Sequence, residues 1–197
     1  MNIAIFGGSF DPVHRGHFEI VRQILKYSPI DRIIVVPNYQ NPLKKRRPTL
    51  PDELRWEMLK TTFFGIKEVE LSDFELKQHK RNFTYSTILH FKERFPQDQL
   101  YLILGEDAFA YFDEWAKTDI ILEMSKIAVF YRPALRTERT SASIEAYGDI
   151  AEFIPIEIPD ISATEIRQNS LETIEHQSWL LPEALVLWKN YLKNSNK

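Results

Sequence analysis

The chain has 197 residues, 44% of them hydrophobic and 27% charged, the composition of a globular protein of about one domain and far from the low-apolar signature of disorder. With 25 Lys and Arg against 28 Asp and Glu the formal charge is −3, so no global basic field exists to hold a nucleic acid polymer. The absence of cysteine excludes disulfide frameworks, thiolate zinc sites and cysteine nucleophiles, and it fits a reducing cytoplasm.

The N-terminal segment MNIAIFGGSFDPVHRGH lacks the pattern of a signal peptide, and no apolar run approaches membrane-spanning length, so a soluble intracellular protein is expected. Ile3-Ala4-Ile5-Phe6, stopped by Gly7-Gly8, reads as a strand buried on both faces. From Gly16 to Tyr27, Phe18, Ile20, Val21, Ile24 and Leu25 recur at helical spacing, which predicts an amphipathic helix. Ile33 to Val36, before Pro37, predicts a second buried strand and completes a strand-helix-strand unit.

Residues Pro37 to Pro51 hold four prolines and the run Lys44-Lys45-Arg46-Arg47, the marks of an exposed loop. Further along, helices are expected at Asp52 to Thr62, Tyr85 to Phe95 and Asp113 to Met124, and strands at Val69 to Leu71, Leu100 to Leu104, Ile127 to Tyr131 and Ile154 to Ile158. Ala134 to Asp149 has no clear period and reads as a mobile loop, whereas Pro182, a favoured first-turn residue, opens a last helix to about Leu192. The alternation predicts a doubly wound α/β fold, with a mostly parallel sheet and helices on both faces. It implies one domain over 1–197, including a C-terminal helical segment from about 162. Ligands of such sheets lie beyond the carboxyl ends of the strands, where strand order reverses.

Four constellations carry candidate chemistry. Gly7-Gly8-Ser9-Phe10-Asp11-Pro12-Val13-His14-Arg15-Gly16-His17 joins the first strand to the first helix, where backbone amides and a helix start suit phosphate. A lone Gly-Gly is only a turn, but His14 and His17, three apart at the helix start, are both placed to donate to phosphate oxygens and to gain charge as a ligand's charge grows. A metal shared by the two histidines is the alternative, and no third His or any Cys stands at ligand spacing. The glycine spacing fits neither a Walker loop nor a dinucleotide fingerprint.

Ile161-Ser162-Ala163-Thr164-Glu165-Ile166-Arg167 contains a capping box, Ser162 with Glu165, which by itself predicts a well-capped helix. Arg167 near that positive helix end asks for an anion to offset it. In Asn38 to Lys44, Lys44 is either part of a solvated basic loop or a reach toward an anion at the sheet edge. The fourth covers Phe83-Thr84, Gly105-Glu106-Asp107 and Trp115, whose aromatics Phe83 and Trp115 composition alone would assign to core.

The first segment resembles the signature of the nucleotidyltransferase superfamily, with its HxGH core at His14 to His17. Within it, the Asp-Pro-Val-His wording, the length and the later segments resemble bacterial nicotinate-nucleotide adenylyltransferases from residue 1 to about 192. The resemblance implies adenylyl transfer from ATP to nicotinate mononucleotide, with His14, His17 and Arg167 as catalytic donors. It implies that Gly7, Gly8, Ser9, Phe10, Lys44, Gly105, Asp107, Ser162 and Thr164 bind ATP, phosphate or ribose, and that Phe83, Thr84 and Trp115 receive the nicotinate. Mg²⁺ is expected to travel with ATP, no metal site of the protein's own is expected, and a homo-oligomer is compatible with the family. Two departures stand out: Leu43 replaces a common histidine before Lys44, and Ala116 replaces a second aromatic after the tryptophan. Other HxGH enzymes, such as pantetheine-phosphate adenylyltransferases and cytidylyltransferases, and a catalytically silent nucleotide sensor, are the competing readings.

Overall fold

The computed structural model describes residues 1–132 and 138–195. Its six strands are β1 (Asn2–Gly8), β2 (Arg32–Pro37), β3 (Val69–Leu71), β4 (Gln99–Gly105), β5 (Lys126–Tyr131) and β6 (Ala151–Pro155), in the order β3-β2-β1-β4-β5-β6. Every neighbouring pair is parallel. Strand order therefore reverses between β1 and β4, whose carboxyl ends carry Gly7-Gly8 and Gly105.

The period of two along β1 separates two cores. Ala4 and Phe6 face a layer of α1 (Arg15–Tyr27), α2 (Asp52–Thr62), α8 (Ala163–Gln168), α9 (Leu171–His176) and α10 (Pro182–Ser195), through Val21, Ile24, Met58, Leu59, Ile166, Ile174 and Trp188. Ile3 and Ile5 face the other layer, where α4 (Thr84–Arg94), α5 (Glu106–Phe109) and α6 (Thr118–Met124) contribute Ile88, Phe91, Phe109 and Ile121. Complete burial of each such side chain stabilises the sheet by about 1.5–3 kcal/mol, so an Asp at Ile5 or Ile34 would disrupt the fold. The remaining α-helices of the described residues are α3 (Phe74–Lys77) and α7 (Glu138–Tyr147).

Three expectations are corrected. The helix expected at Asp113 to Met124 is broken: a 3-10 turn covers Phe112–Glu114, Trp115 is extended, and Lys117 has φ 56° before α6 begins. Phe112 is buried in the second core and Trp115 packs against it with centroids 5.7 Å apart, a demand that outweighs helical continuity. The segment read as a mobile loop, Ala134 to Asp149, contains α7, while 133–137 lie outside the described residues. Its Glu and Ala residues favour helix without a clear apolar period to announce it, and its Tyr147 packs against Phe109 and Phe112. The strand expected at Ile154 to Ile158 is β6, shifted to Ala151–Pro155. Beyond it the Gln23 amide takes over both backbone groups of Glu157, at 2.5 and 2.9 Å, in place of a ladder.

Candidate active site

A cleft of about 1140 Å³ opens at the carboxyl edge of the sheet, over the reversal between β1 and β4. Its first wall is the β1–α1 connection. His14 caps α1, and its backbone N–H donates to His17 Nδ1 at 3.2 Å. That bond assigns the His17 proton to Nε2, which leaves a neutral donor on the other ring nitrogen. The two rings lie 3.8 Å apart, and Phe10 meets His17 edge-on at 5.0 Å. Burial lowers His14 to about 4 and, with the neighbouring ring, holds His17 well below its ordinary range. Both imidazoles are thus neutral in the free protein at neutral pH.

Two glycines are needed for close approach. A Cβ on Gly16 would stand 3.0 Å from the His14 ring, and one on Gly8 would stand 2.9 Å from the Phe10 ring, whose own residue has φ 45°. Gly7 meets nothing within 4 Å and leaves main chain open to the cleft.

The wall is braced from behind. Asp11 accepts the N–H groups of Thr49 and Leu50, both at 2.8 Å, and pairs with Arg167 at 3.2 Å. Arg167 also donates to the Asp11 carbonyl and, at 3.3 Å, to the Thr164 hydroxyl. Arg55 is fully buried and donates to Ser9 O, Asn38 O and Asp52 at 2.6, 2.9 and 2.6 Å, tying the β1 and β2 exits to α2. Lys44 follows a turn closed by Asn41 and brings its Nζ to 3.5 Å from Ser9 Oγ.

At α8 the predicted capping box is formed, Ser162 Oγ accepting Glu165 N–H at 3.1 Å and Glu165 accepting Ser162 N–H at 2.8 Å. The helix ends at Gln168, so Arg167 falls in its last turn and not at its positive end. The anion that offsets Arg167 in the free protein is Asp11, which corrects the dipole argument made from sequence.

The opposite wall carries two aromatic side chains, Phe83 and Trp115. Trp115 and Ala116 line it with Phe83 and Thr84, the residues that open α4, while Gly105, Glu106 and Asp107 stand at the β4 exit. The Trp115 indole N–H is buried without a partner. One Glu106 oxygen accepts Arg132 N–H at 3.2 Å, and the other is buried and unpaired.

A family model described as Cytidylyltransferase-like matches residues 5–169. A Clostridium botulinum (strain Loch Maree / Type A3) protein named "Probable nicotinate-nucleotide adenylyltransferase" is 30% identical over 99% of this chain and 98% of its own. A Thermotoga sp. (strain RQ2) protein of the same name is 38% identical over 85% of each. The chain belongs to the nicotinate-nucleotide adenylyltransferase family. The solved Plasmodium falciparum nicotinic acid mononucleotide adenylyltransferase complexed with NaAD superposes with a TM-score of 0.78 at 21% identity, covering 96% of this chain and 95% of that one, and so shares the fold.

The adenylyltransferase cleft of this chain brings together every residue singled out from the sequence: His14, His17 and Arg167; Gly7, Gly8, Ser9, Phe10 and Lys44; Gly105 and Asp107; Ser162 and Thr164; Phe83, Thr84 and Trp115. Leu43 and Ala116 line it too, and Leu43 is exposed. Sequence reasoning missed Arg55, Asp11 as an anchor, and Glu75. Arg55 was findable, because it precedes Met58 and Leu59 by three and four positions and so shares their buried face.

Proposed function

We propose that this chain is the adenylyltransferase its family membership indicates, joining the phosphate of nicotinate mononucleotide to the α-phosphate of ATP and releasing nicotinate adenine dinucleotide and pyrophosphate. The observation that carries this reading is one cleft whose first wall is made of phosphate donors and whose other wall is aromatic. The P. falciparum neighbour of the same fold is complexed with NaAD, the product this reading assigns.

The chemistry needs no nucleophile from the protein. A phosphate monoester has its second pKa near ~6, so at neutral pH its dianion attacks the α-phosphorus in line as the bond to the β-phosphate oxygen breaks. Catalysis is then positioning plus donors aimed at growing charge. His17 Nε2–H is the buried neutral donor for an α-phosphate oxygen, with His14 beside it. Arg167, steered by Asp11 and Thr164, supplies fixed positive charge from α8, and Lys44 stands over Ser9 for the departing phosphates. The open main chain at Gly7 and the hydroxyls of Ser162 and Thr164 add neutral contacts along the phosphates.

Trp115 offers a face to the pyridine ring, the start of α4 at Phe83-Thr84 offers N–H groups to its carboxylate, and Asp107 accepts from a ribose hydroxyl. Magnesium fits as a passenger on the triphosphate. Among the described residues no three His, Asp or Glu converge on one point, while the cleft's lone carboxylates leave phosphate oxygens as the main ligands. When bound, the ion neutralises charge on the leaving pyrophosphate. The reading includes a cytoplasmic location, which the cysteine-free composition suits; among the described residues no helix is long and apolar enough to cross a membrane.

The test is pyrophosphate release with ATP and Mg²⁺, offering nicotinate mononucleotide, nicotinamide mononucleotide, phosphopantetheine and glycerol phosphate in parallel. Release with the nicotinate nucleotide is expected. Release only with phosphopantetheine or glycerol phosphate reassigns the substrate, and ATP binding without release from any acceptor identifies a sensor.

A further inference from the structure

The pyridine end of the cleft holds an ionisable group that the reaction above leaves unused. Glu75, on α3, lines the cleft together with Asn82, Phe83, Thr84 and Thr87. Its side chain is buried, and one carboxyl oxygen accepts the Thr87 hydroxyl at 2.5 Å. Thr87 lies one turn beyond Thr84 on α4, so the Glu75–Thr87 pair and the start of that helix form one continuous wall.

Among the described residues no cation forms an ion pair with this carboxyl. Asp73 and Lys77, on the same helix, pair with each other at 2.9 Å. His90, on α4, stacks flat on Phe74 at 3.7 Å and is itself held below its ordinary range by burial. Arg81 lines the cleft in the turn before α4, and Arg32, at the far end of β2, pairs with Glu70 at 3.5 Å. None of these moves Glu75: burial pushes its carboxyl up to about 7, and only the Thr87 hydrogen bond opposes the rise.

A carboxyl in a wall that receives a carboxylate acts differently in its two states. Protonated, it donates a hydrogen bond to a pyridine carboxylate. Ionised, it repels that carboxylate and accepts instead from a carboxamide N–H. We propose that Glu75 is a specificity-determining residue, setting the preference of the pyridine pocket between a 3-carboxylate and a 3-carboxamide through its own protonation. The inference rests on the adenylyltransferase reading and deepens it.

The test is the ratio of kcat/KM for nicotinate mononucleotide to that for nicotinamide mononucleotide, between pH 5.5 and 8.5 at saturating ATP and Mg²⁺; an amide that is not turned over is measured as a competitive inhibitor. The substrate phosphate, His14 and His17 act on both substrates alike and cancel in the ratio. The expected result is a ratio that falls about fivefold or more as pH rises through 7, the scale of one like-charge repulsion in a partly buried site. In Glu75→Gln the ratio should be flat. Thr87→Val, which removes the opposing hydrogen bond, should move the fall to higher pH.

A wild-type ratio independent of pH overturns the proposal, as does a Glu75→Gln enzyme with an unchanged profile, and either leaves adenylyl transfer standing. Turnover of neither pyridine nucleotide overturns the functional reading and the proposal together.

Discussion

The two walls of the cleft are built on different principles. The phosphate wall, from Gly7 to His17, is held by polar contacts that arrive from distant segments: Arg55 on Ser9, Asp11 on Thr49 and Leu50, and Arg167 on Asp11. The wall proposed to meet the pyridine ring is held by aromatic packing of Phe112 and Trp115, and it keeps polar atoms without partners at Trp115 and Glu106. Donors that must meet a transition state gain from being fixed beforehand, because no reorganisation is then needed as charge develops. A wall that recognises a flat ring can be shaped by packing alone, with selectivity left to a few polar groups.

The strongest way to break this contrast is Arg55→Met. It leaves two carbonyls and the Asp52 carboxylate without their buried partner, and a loss of about 3–5 kcal/mol in urea unfolding is expected. His17→Ala should come next. It removes the oriented Nε2 donor, and turnover should fall at least ~100-fold while the melting temperature changes little; wild-type turnover would remove His17 from the mechanism. Arg167→Ala should weaken ATP or product binding about tenfold by calorimetry, with the Asp11 carboxylate left facing the phosphates. Gln23→Leu frees the backbone of Glu157 and the segment leading to Ser162, so the KM for ATP should rise a few-fold with kcat nearly intact.

The acid response sharpens the contrast further. His14 and His17 bind protons less readily folded than unfolded, so the unfolded chain holds more protons below the ordinary histidine value of 6.5. Stability should therefore fall as pH drops from 6.5 toward 4, at up to about 1.4 kcal/mol per pH unit for each proton. Glu75 has the opposite sign. Its raised carboxyl takes up its proton first in the folded state, so its contribution is lost as pH rises from 4.5 to about 7. Glu75→Gln should steepen the acid-side loss of melting temperature, and His14→Gln should flatten it.

The phosphate wall was legible in the sequence because its parts are contiguous: a buried apolar run, two glycines and a histidine pair at a helix start. The first five strands, the edges of α1 and α2 and the start of α10 were legible for the same reason, since period and punctuation are local. Arg55 could be placed on a buried face and Arg167 in the cleft, but the partners that make them braces, Ser9 O and Asn38 O for the one and Asp11 for the other, were not legible because they lie far away in the chain. The pyridine side misled in a different way. Ile120, Ile121 and Met124 carry a helical period that extended too far toward Asp113, and only the packing of Trp115 on Phe112 stops it. Short elements such as α3, α5 and α9 hold one or two buried side chains each and make no period at all.

The contacts that span the chain also set an order of events during synthesis. Asp11 and Arg167 are 156 positions apart, and Arg15, whose guanidinium holds the Ser178 carbonyl, is 163 positions from it. The histidine loop leaves the ribosome among the first residues, and its partners among the last. Pairings so distant in sequence form late, after the sheet that brings their ends together. A nascent chain that stops short of Arg167 carries both histidines yet lacks the cation that pairs with Asp11. The last braces of the histidine loop are thus in place when α8 and the turn after α9 have been made.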